Sequence, residues 1–323
     1  MPPPIVTFGR KLAPPPPEAS DRARMPDWAQ ASPPAIERTL ARALARPSGG
    51  WYVVDASYRV TERPTLHRVA DRELVAWRAS GCALVAPNEC PHMGAPLCHG
   101  AVRGAKLVCP WHGLELDDAG HGKWRPFATH DDGVLVWARL DDGAATTDAP
   151  ILAARPAQFI AGVIRVEATC EPADVLANRF DPWHGVHFHG HSFARLTVLE
   201  ANDDDVTVRV AYRVAGPLCV EVDARFHSPE PRTIVMTIVG GDGAGSVVET
   251  HATPISATRT AIIEATLATS DRTGFGLAVR AGRVLRPFIE RRALRLWVDD
   301  AAYAERRYAL RAEKQRSTPR TRA

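Results

Sequence analysis

Two short stretches of the chain each contain one cysteine and one histidine, and this arrangement constrains the fold more than any other feature of the sequence. Cys90-Pro-His92 is followed, after a gap of 16 residues, by Cys109-Pro-Trp-His112. Two thiolates and two imidazoles can hold one zinc ion tetrahedrally. They can also hold a [2Fe–2S] cluster in which the cysteines ligate one iron and the histidines the other. The mixed order within each pair favours the cluster, with each pair on a loop that gives one ligand to each iron.

A second motif, Asn178-x2-Asp181-x2-His184-x4-His189, predicts a separate metal site. Two neutral imidazoles and one carboxylate suit Fe(II) and leave coordination positions open for dioxygen and substrate. Asp181 lies too close to His184 in the sequence to be an easy third ligand, but it can orient that imidazole. A His-x4-His pair alone could also belong to a polar loop that binds nothing or to an adventitious zinc site. The longer pattern, together with the cysteine–histidine pairs, favours iron.

The region around the cysteine–histidine pairs predicts an all-β module at residues 49–141. Short apolar runs alternate there with turn signals such as Ala79-Ser-Gly81. Such spacing is typical of short strands joined by tight turns. The predicted strands include residues 51–54, 73–78, 83–86, 106–109 and 134–137.

The chain outside this module divides into an arm, a linker, a second domain and a tail. Residues 1–48 are predicted to be a flexible arm with one short helix, because 11 of the 27 prolines lie in its first 47 residues and a proline-rich run cannot build a packed unit. Residues 142–157 are predicted to be a linker and residues 158–312 a catalytic domain. Residues 313–323 are expected to form a basic, solvated tail.

The second domain is expected to combine an antiparallel sheet with helices. Apolar residues alternate with polar ones over 206–214 and again over 218–226, with the turn Gly216-Pro217 between them. Alternation at period two marks strands with one buried face, so these two runs predict a hairpin. Further strands are predicted at 233–239, 246–250 and 260–266, and helices at 171–178 and 277–297.

The composition argues against several classes of partner. A net charge of +3 implies no nucleic-acid partner. The sequence contains no apolar run of the roughly 18 residues that a membrane span needs. The N-terminal residues lack the apolar core of a secretory signal, so we expect a cytoplasmic protein. Six cysteines in 323 residues do not suggest a disulfide framework.

The two motifs, in this order, resemble those of the catalytic (alpha) subunit of Rieske non-haem iron oxygenases, and the resemblance covers residues 49–310. It implies an α+β protein: an N-terminal antiparallel β Rieske [2Fe-2S] domain followed by a helix-grip (START-like) catalytic domain. The resemblance assigns the cluster ligands as Cys90, His92, Cys109 and His112.

The same resemblance assigns His184 and His189 as ligands of a mononuclear Fe(II). The third ligand of the family is an aspartate near the C-terminus. Asp300 fits that position best, with Asp299 as the alternative, because this acidic pair is followed by a glutamate as in the family.

Asp181 resembles the family's bridging carboxylate. That role would connect His112 in the cluster of one subunit, through Asp181, to His184 at the iron of a neighbouring subunit. Such a head-to-tail contact closes into a ring and implies a homotrimer. Asn178 matches a family position near the iron.

The activity implied by the resemblance is that of an oxygenase, of the monooxygenase type more than the ring-dioxygenase type. It would use O2 and externally supplied electrons to hydroxylate, demethylate or desaturate a hydrophobic small molecule such as a steroid, terpenoid, carotenoid or aromatic compound. A separate reductase or ferredoxin is expected, because the chain lacks a Gly-x-Gly-x-x-Gly fingerprint. The alternatives are a Rieske electron carrier or ligand-binding protein without a functional mononuclear iron site, and a zinc-stabilised binding protein.

Overall fold

The computed structural model describes residues 5–22, 24–141, 143 and 145–317. Four short elements precede the first domain. They are β1 (Val6–Phe8), α1 (Pro17–Arg22), α2 (Asp27–Gln30) and α3 (Pro33–Leu44).

The first domain consists of small antiparallel sheets, as the sequence predicts. Its strands are β2 (Trp51–Ala56), β3 (Thr65–Val69), β4 (Arg72–Ala79), β5 (Cys82–Pro87), β6 (Ala101–Arg103), β7 (Lys106–Val108), β8 (Glu115–Leu116), β9 (Thr129–Asp131) and β10 (Leu135–Arg139). They form three sheets of three strands, with the orders β2-β10-β9, β3-β4-β5 and β6-β7-β8. Trp77, Leu97 and Leu107 are fully buried in one core. The loops after β5 and β7 carry the two cysteine–histidine pairs.

The second domain is an antiparallel sheet with helices, which confirms the α+β class. Its elements are β11 (Ile160–Ala168), α4 (Pro172–Arg179), α5 (His184–Phe188), β12 (Phe193–Ala201), β13 (Asp205–Ala215), β14 (Leu218–Glu230), β15 (Thr233–Gly241), β16 (Val247–Ser256), β17 (Arg259–Ala268), α6 (Phe275–Arg280) and α7 (Gly282–Ser317). The strand order is β11-β17-β16-β15-β14-β13-β12. The predicted hairpin is the β13–β14 pair, in which Ala215 lies opposite Leu218.

Helix α7 packs against β11 and α4. Its buried residues repeat at helical spacing, so one face of the helix points inwards. They are Ala293, Trp297, Asp300, Ala301 and Ala304. The helix continues to Ser317, so the predicted boundary at residue 312 falls inside it, and residues 318–323 of the predicted tail lie outside the described residues. No helix in the described part of the chain is long and apolar enough to cross a membrane.

Several segments of the predicted flexible arm contact the second domain. Strand β1 pairs in parallel with β14. The predicted short helix is present as α3, which buries Leu40 and Ala43 in the second domain's core. Arg42 and Arg46 each reach a carboxylate oxygen of Asp204 at 3.0 Å. These partners lie about 160 positions away in the sequence, so proline content alone could not reveal them.

The predicted linker is anchored to both domains through one arginine. The guanidinium of Arg155 lies 2.9 Å from Asp132 of the first domain. It also donates two hydrogen bonds to Glu249 of the second domain, at 2.6 and 2.7 Å. All three side chains are largely buried. A bidentate, charge-assisted contact of this kind fixes the direction in which the linker leaves the first domain.

Candidate metal centres

The two histidines of the second motif and the aspartate assigned by the family resemblance meet at one point of the second domain. The Nε2 atoms of His184 and His189 lie 3.2 Å and 2.7 Å from Oδ1 of Asp300. The ligand atoms of the three residues all lie within 4.8 Å of one another. Two histidines five positions apart would point in different directions on a regular helix. Helix α5 ends at Phe188, and the bend at His189 turns its ring towards the same point.

The site is buried and its carboxylate is charged. His189 and Asp300 are each 1% exposed. Burial alone would raise the pKa of Asp300, but hydrogen bonds with His184 and His189 and the nearby Arg179 hold it well below its usual range. A buried carboxylate with two imidazoles aimed at it provides three ligands of the kind that suit a divalent metal. The donor set therefore fits a mononuclear iron.

Asn178 occupies the position beside these ligands that the sequence predicts. It is completely buried near the end of α4. Its Nδ2 donates to Oδ1 of Asp300 at 3.1 Å and lies 3.4 Å from Nε2 of His184. Its Oδ1 has no hydrogen-bond partner among the described residues. Because buried polar atoms are normally paired, this oxygen points to a group that completes the site.

The geometry favours Asp300 over its neighbour Asp299 as the third ligand. Asp299 is 40% exposed at its side chain and lies 3.5 Å from Nδ1 of His189, on the other side of the ring from Asp300. Nδ1 of His189 is buried and lacks a hydrogen bond within the described residues. Asp299 therefore lies beside Nδ1 of His189, whereas Asp300 lies beside Nε2, where the three ligand atoms meet.

Asp181 approaches His184 mainly through its main chain. Nδ1 of His184 lies 2.5 Å from the carbonyl oxygen of Asp181 and 3.8 Å from its carboxylate. The carboxylate instead accepts a hydrogen bond from the Tyr303 hydroxyl at 3.2 Å. Burial and the Asp181 carboxylate both raise the pKa of Tyr303. The backbone contact fixes the His184 ring with Nε2 towards Asp300.

The two cysteine–histidine loops of the first domain have equivalent backbone geometry. Each cysteine carbonyl accepts from a glycine four positions on, Gly94 at 2.8 Å and Gly113 at 3.1 Å. Both glycines have a positive φ, 72° and 73°, which residues with a Cβ rarely adopt. Cys90 and Cys109 are almost completely buried.

The imidazoles of this pair of loops face each other at the surface. The rings of His92 and His112 have centroids 4.9 Å apart and planes at 79°. Both histidines are exposed, as are the neighbouring Met93 and Trp111. All four predicted cluster residues are thus brought together, with the sulfurs inwards and the rings outwards. This donor set fits a [2Fe–2S] cluster with mixed ligands.

An apolar cavity of about 300 Å³ opens beside the three ligand residues of the second domain. Its walls come from the sheet face and α7. They include Leu196, Val208, Val210, Phe226, Ile234, Met236, Ile289 and Leu296. The cavity also contains an ion pair between Arg179 and Glu264, which the sequence did not indicate because the partners are 85 positions apart.

Tyr303 was likewise unassigned, although its place three residues after Asp300 puts it on the same helix face.

Two family models match the chain. The model described as Rieske [2Fe-2S] domain matches residues 50–137. The model described as Domain of unknown function (DUF5914) matches residues 141–315. The first match covers both cysteine–histidine loops and the second covers His184, His189 and Asp300.

Several curated relatives are oxygenase components, and each match covers part of their length. The oxygenase subunit of vanillate O-demethylase from Pseudomonas sp. is 35% identical over 75 residues, 23% of this chain and 21% of that protein. The oxygenase component of chloroacetanilide N-alkylformylase from Rhizorhabdus wittichii is 28% identical over 175 residues, 47% of this chain and 49% of that protein. The chain therefore spans at most about half the length of these relatives.

Solved structures show the same fold. The crystal structure of dicamba monooxygenase bound to dicamba has a TM-score of 0.63 and 19% identity, and covers 85% of this chain and 92% of that one. At such identity the likeness establishes the architecture and nothing about the substrate. Since the DUF5914 model matches more than half of the chain, behind a Rieske [2Fe-2S] domain, the protein belongs to the DUF5914 family and has the two-domain arrangement of the Rieske non-haem iron oxygenases.

Proposed function

We propose that the protein is a Rieske-type oxygenase, of the monooxygenase type, that uses O2 and electrons from outside to hydroxylate, demethylate or desaturate a hydrophobic small molecule. One observation supports this most strongly: Nε2 of His184, Nε2 of His189 and Oδ1 of Asp300 converge beside an apolar cavity. An electron carrier or simple binding protein has no use for such a set of ligands.

The proposed metal groups are a [2Fe-2S] cluster held by Cys90, His92, Cys109 and His112 and an iron held by the three converging residues. When bound, the cluster supplies single electrons and the iron activates O2. The chain itself provides orientation and shielding. Asn178 and the Asp181 carbonyl hold the histidine ring and the carboxylate in place, and the cavity walls exclude water from the substrate.

The electron supply and the assembly complete the proposal. A separate reductase or ferredoxin is the donor, because the chain lacks a dinucleotide fingerprint. In a homotrimer Asp181 would bridge His112 of the partner subunit, at its cluster, to His184 at the iron, and so hold the two centres close enough for electron transfer. We place the protein in the cytoplasm because the four cysteines outside the proposed cluster form no disulfide and thiols persist in reducing compartments.

The metal content of a single variant tests the proposal. His184→Ala should lower the iron content from about three to about two per chain while the visible spectrum of the cluster stays unchanged. The matched control is His187→Ala, because His187 lies on the same short helix but its exposed side chain pairs with Asp27, at 2.9 Å, and not with the metal-ligand residues. This control should keep about three irons.

Activity is measured on the same variants. Product formation from neutral terpenoid and aromatic compounds is followed by mass spectrometry as a gain of one oxygen atom, the replacement of a methyl group by hydrogen, or a loss of two hydrogen atoms. His184→Ala should be slower than wild type by at least about a hundredfold. Wild-type protein with two irons per chain would instead support the electron carrier, and colourless protein with bound zinc would support the zinc-stabilised binding protein.

A further inference from the structure

One side of α6 and of the first half of α7 exposes large apolar side chains to solvent. Leu277, Val284, Phe288 and Val298 are each 62% to 72% exposed. Nine positions separate Phe288 from the completely buried Trp297. Nine residues make two and a half helical turns, so Phe288 points directly away from the core. Single exposed apolar residues are ordinary, but a group of them on one surface marks an interaction site.

The same stretch of chain is strongly basic. Residues 273–298 contain six arginines and a single acidic residue, Glu290. Glu290 is turned inwards, where it accepts from the main chain of Val163 at 3.2 Å. Three of the arginines are exposed and have no hydrogen-bond or ion-pair partner among the described residues. They are Arg280, Arg283 and Arg291.

These apolar and basic side chains share one surface, which we call the α6–α7 face. On α7, Val284, Phe288, Arg291, Arg295 and Val298 follow one another at intervals of four and three positions. Such intervals place side chains on one side of a helix. Leu277 and Arg280 extend the face onto α6. The whole face consists of Leu277, Arg280, Arg283, Val284, Phe288, Arg291, Arg295 and Val298.

The chemistry of the α6–α7 face is complementary to the surface of an anionic phospholipid bilayer. Apolar side chains of such a helix enter the region between headgroups and acyl chains, and its arginines contact the lipid phosphates. A second copy of this chain is a poor complement in a two-fold contact. Such a contact would bring the same arginines together, and like charges repel.

The α6–α7 face is also separate from the contact proposed between subunits. That contact centres on Asp181, which accepts a hydrogen bond from Tyr303. Tyr303 follows Phe288 by fifteen positions, about 22 Å along the helix axis. A trimer joined at Asp181 therefore leaves the surface around Phe288 open.

The helix that carries this face also forms a wall of the apolar cavity. Ile289, Arg292 and Leu296 of α7 line the cavity, and Arg292 is in addition exposed to solvent. We propose that the α6–α7 face binds the surface of an anionic phospholipid membrane, with the apolar side chains inserted and the arginines on the phosphates. Membrane binding goes beyond the proposed oxygenase activity and does not require it. It would place the cavity next to a reservoir of apolar molecules.

The test measures how the metal-loaded protein partitions onto lipid vesicles by co-sedimentation, without O2 and without substrate. One set of vesicles contains equal parts of phosphatidylglycerol and phosphatidylcholine, and the other contains phosphatidylcholine alone. Wild type should bind the anionic vesicles at least about tenfold more tightly, because each arginine near an anionic surface strengthens binding by roughly fivefold.

The apolar part of the face is tested with the double variant Val284→Ser/Phe288→Ser. It should bind the anionic vesicles at least about tenfold more weakly than wild type, because two apolar side chains no longer enter the bilayer. The matched control is Leu66→Ser/Val239→Ser. Leu66 and Val239 are also exposed, on β3 and β15 outside the face, so this control should bind like wild type.

The basic part is tested with Arg283→Gln/Arg291→Gln. This variant should also lose at least about tenfold in binding to the anionic vesicles. Its matched control, Arg103→Gln/Lys123→Gln, removes two exposed positive charges from the first domain. The control should lose less than about threefold, since charges far from the lipid are screened by salt.

Three results would overturn the proposal. The first is equal binding of wild type to both kinds of vesicle, or no binding at millimolar lipid. The second is a control variant that loses as much binding as its partner variant on the face. The third is a smaller assembly of Val284→Ser/Phe288→Ser than of wild type in sedimentation without lipid, because the face would then join copies of this chain. Wild type that binds vesicles but lacks oxygenase activity would contradict the proposed function and leave the membrane contact intact.

Discussion

The two candidate metal centres are built in opposite ways. In the first domain the imidazoles of His92 and His112 are exposed at the tips of two loops, and the sulfurs are buried behind them. In the second domain His189 and Asp300 are each 1% exposed and lie next to an apolar cavity. One centre presents its imidazoles to solvent, and the other places its ligands beside an enclosed apolar space.

This difference in exposure indicates different roles for the two proposed centres. Exposed imidazoles allow a partner protein to approach the cluster closely, which electron exchange requires. A buried donor set keeps water away from the metal and from a bound substrate, so the interactions inside the site are stronger. The exposed centre is therefore expected to tolerate changes around its rings, whereas the buried centre should depend on each neighbouring polar group.

The largest expected effect comes from removing a buried sulfur. Cys109→Ala should abolish the visible spectrum and lower the iron content from about three to about one per chain, because the cluster cannot form with one thiolate. The second domain should keep its iron. Cys98→Ala, in the other loop region but without an assigned ligand role, should keep full colour. Loss of colour in Cys98→Ala would contradict the ligand assignment.

The connection between the centres is tested at Asp181. Asp181→Asn should keep both metals but slow single-turnover product formation by at least about a hundredfold, because the charged bridge is lost. Tyr303→Phe removes only the hydrogen bond at 3.2 Å to the same carboxylate. It should slow the reaction by less than about tenfold, as one hydrogen bond is worth about 1 kcal/mol. Normal single-turnover kinetics in Asp181→Asn would argue against the bridge.

The assembly is checked on the same proteins by sedimentation. Wild type should sediment as a trimer, since the proposed contact between a cluster and a partner's iron forms a closed ring. A monomer at all protein concentrations would remove the basis for electron transfer between subunits.

The two domains should lose stability at different pH values, because each buries a titratable group with a different pKa. Burial lowers the pKa of His67, on β3 of the first domain, from 6.5 to about 4. Burial opposes ionisation of Glu249 in the second domain, but Arg155 and His251 lower its pKa from 4.5 to about 2. In both cases the folded state binds fewer protons than the unfolded state. Each group therefore contributes fully to the free energy of unfolding above its pKa in the unfolded chain, and this contribution is lost as the pH falls through its pKa in the folded protein.

The first domain should therefore weaken at higher pH than the second. The His67 contribution, about 3 kcal/mol, is lost between pH 6.5 and about 4, and that of Glu249 between pH 4.5 and about 2. Urea unfolding from pH 7 to pH 4 measures the difference, with His67→Gln as the variant that cannot titrate. If wild type and this variant lose stability in parallel, His67 is not the responsible group.

The smallest expected effect concerns the arm. The Asp27 carboxylate, on α2, lies 2.9 Å from Nε2 of His187. His187 lies on α5, the helix that also carries His184, and both paired side chains are exposed to solvent. Asp27→Asn should lower the free energy of unfolding by less than about 1 kcal/mol, since exposed ion pairs contribute little. Iron content should not change. A loss of iron in this variant would show that the arm supports the buried centre directly.

Local patterns in the sequence brought out the cysteine–histidine pairs and many of the strands, but not β3, β6, β8, β9 or β12. Cys90 and Cys109 lie 19 positions apart, and each has its histidine within three positions. Alternation over β13 and β14 gave the hairpin because one face of each strand is buried. The assignment of Asp300 needed the family resemblance, since it lies 116 positions from His184.

Other parts of the site could not be predicted because no periodicity marks them. Arg179 meets Glu264 only after the helix and the sheet have packed, and neither residue stands out in its own segment. The contacts of the arm with the second domain were missed for the same reason. Its contacts, such as those of Arg42 and Arg46 with Asp204, join segments far apart in the sequence.

Helix α7 is held at both ends of the stretch that carries Asp300. Glu290 accepts from the main chain of Val163 at 3.2 Å, and Arg311 reaches Asp174 at 2.8 Å. Each residue of an α-helix turns the chain by about 100°. Adding or deleting one residue between Glu290 and Asp300 would rotate the carboxylate away from the histidines. Exposed residues of this segment can therefore be substituted, whereas an insertion or deletion would be selected against because it would separate the carboxylate from the two imidazoles.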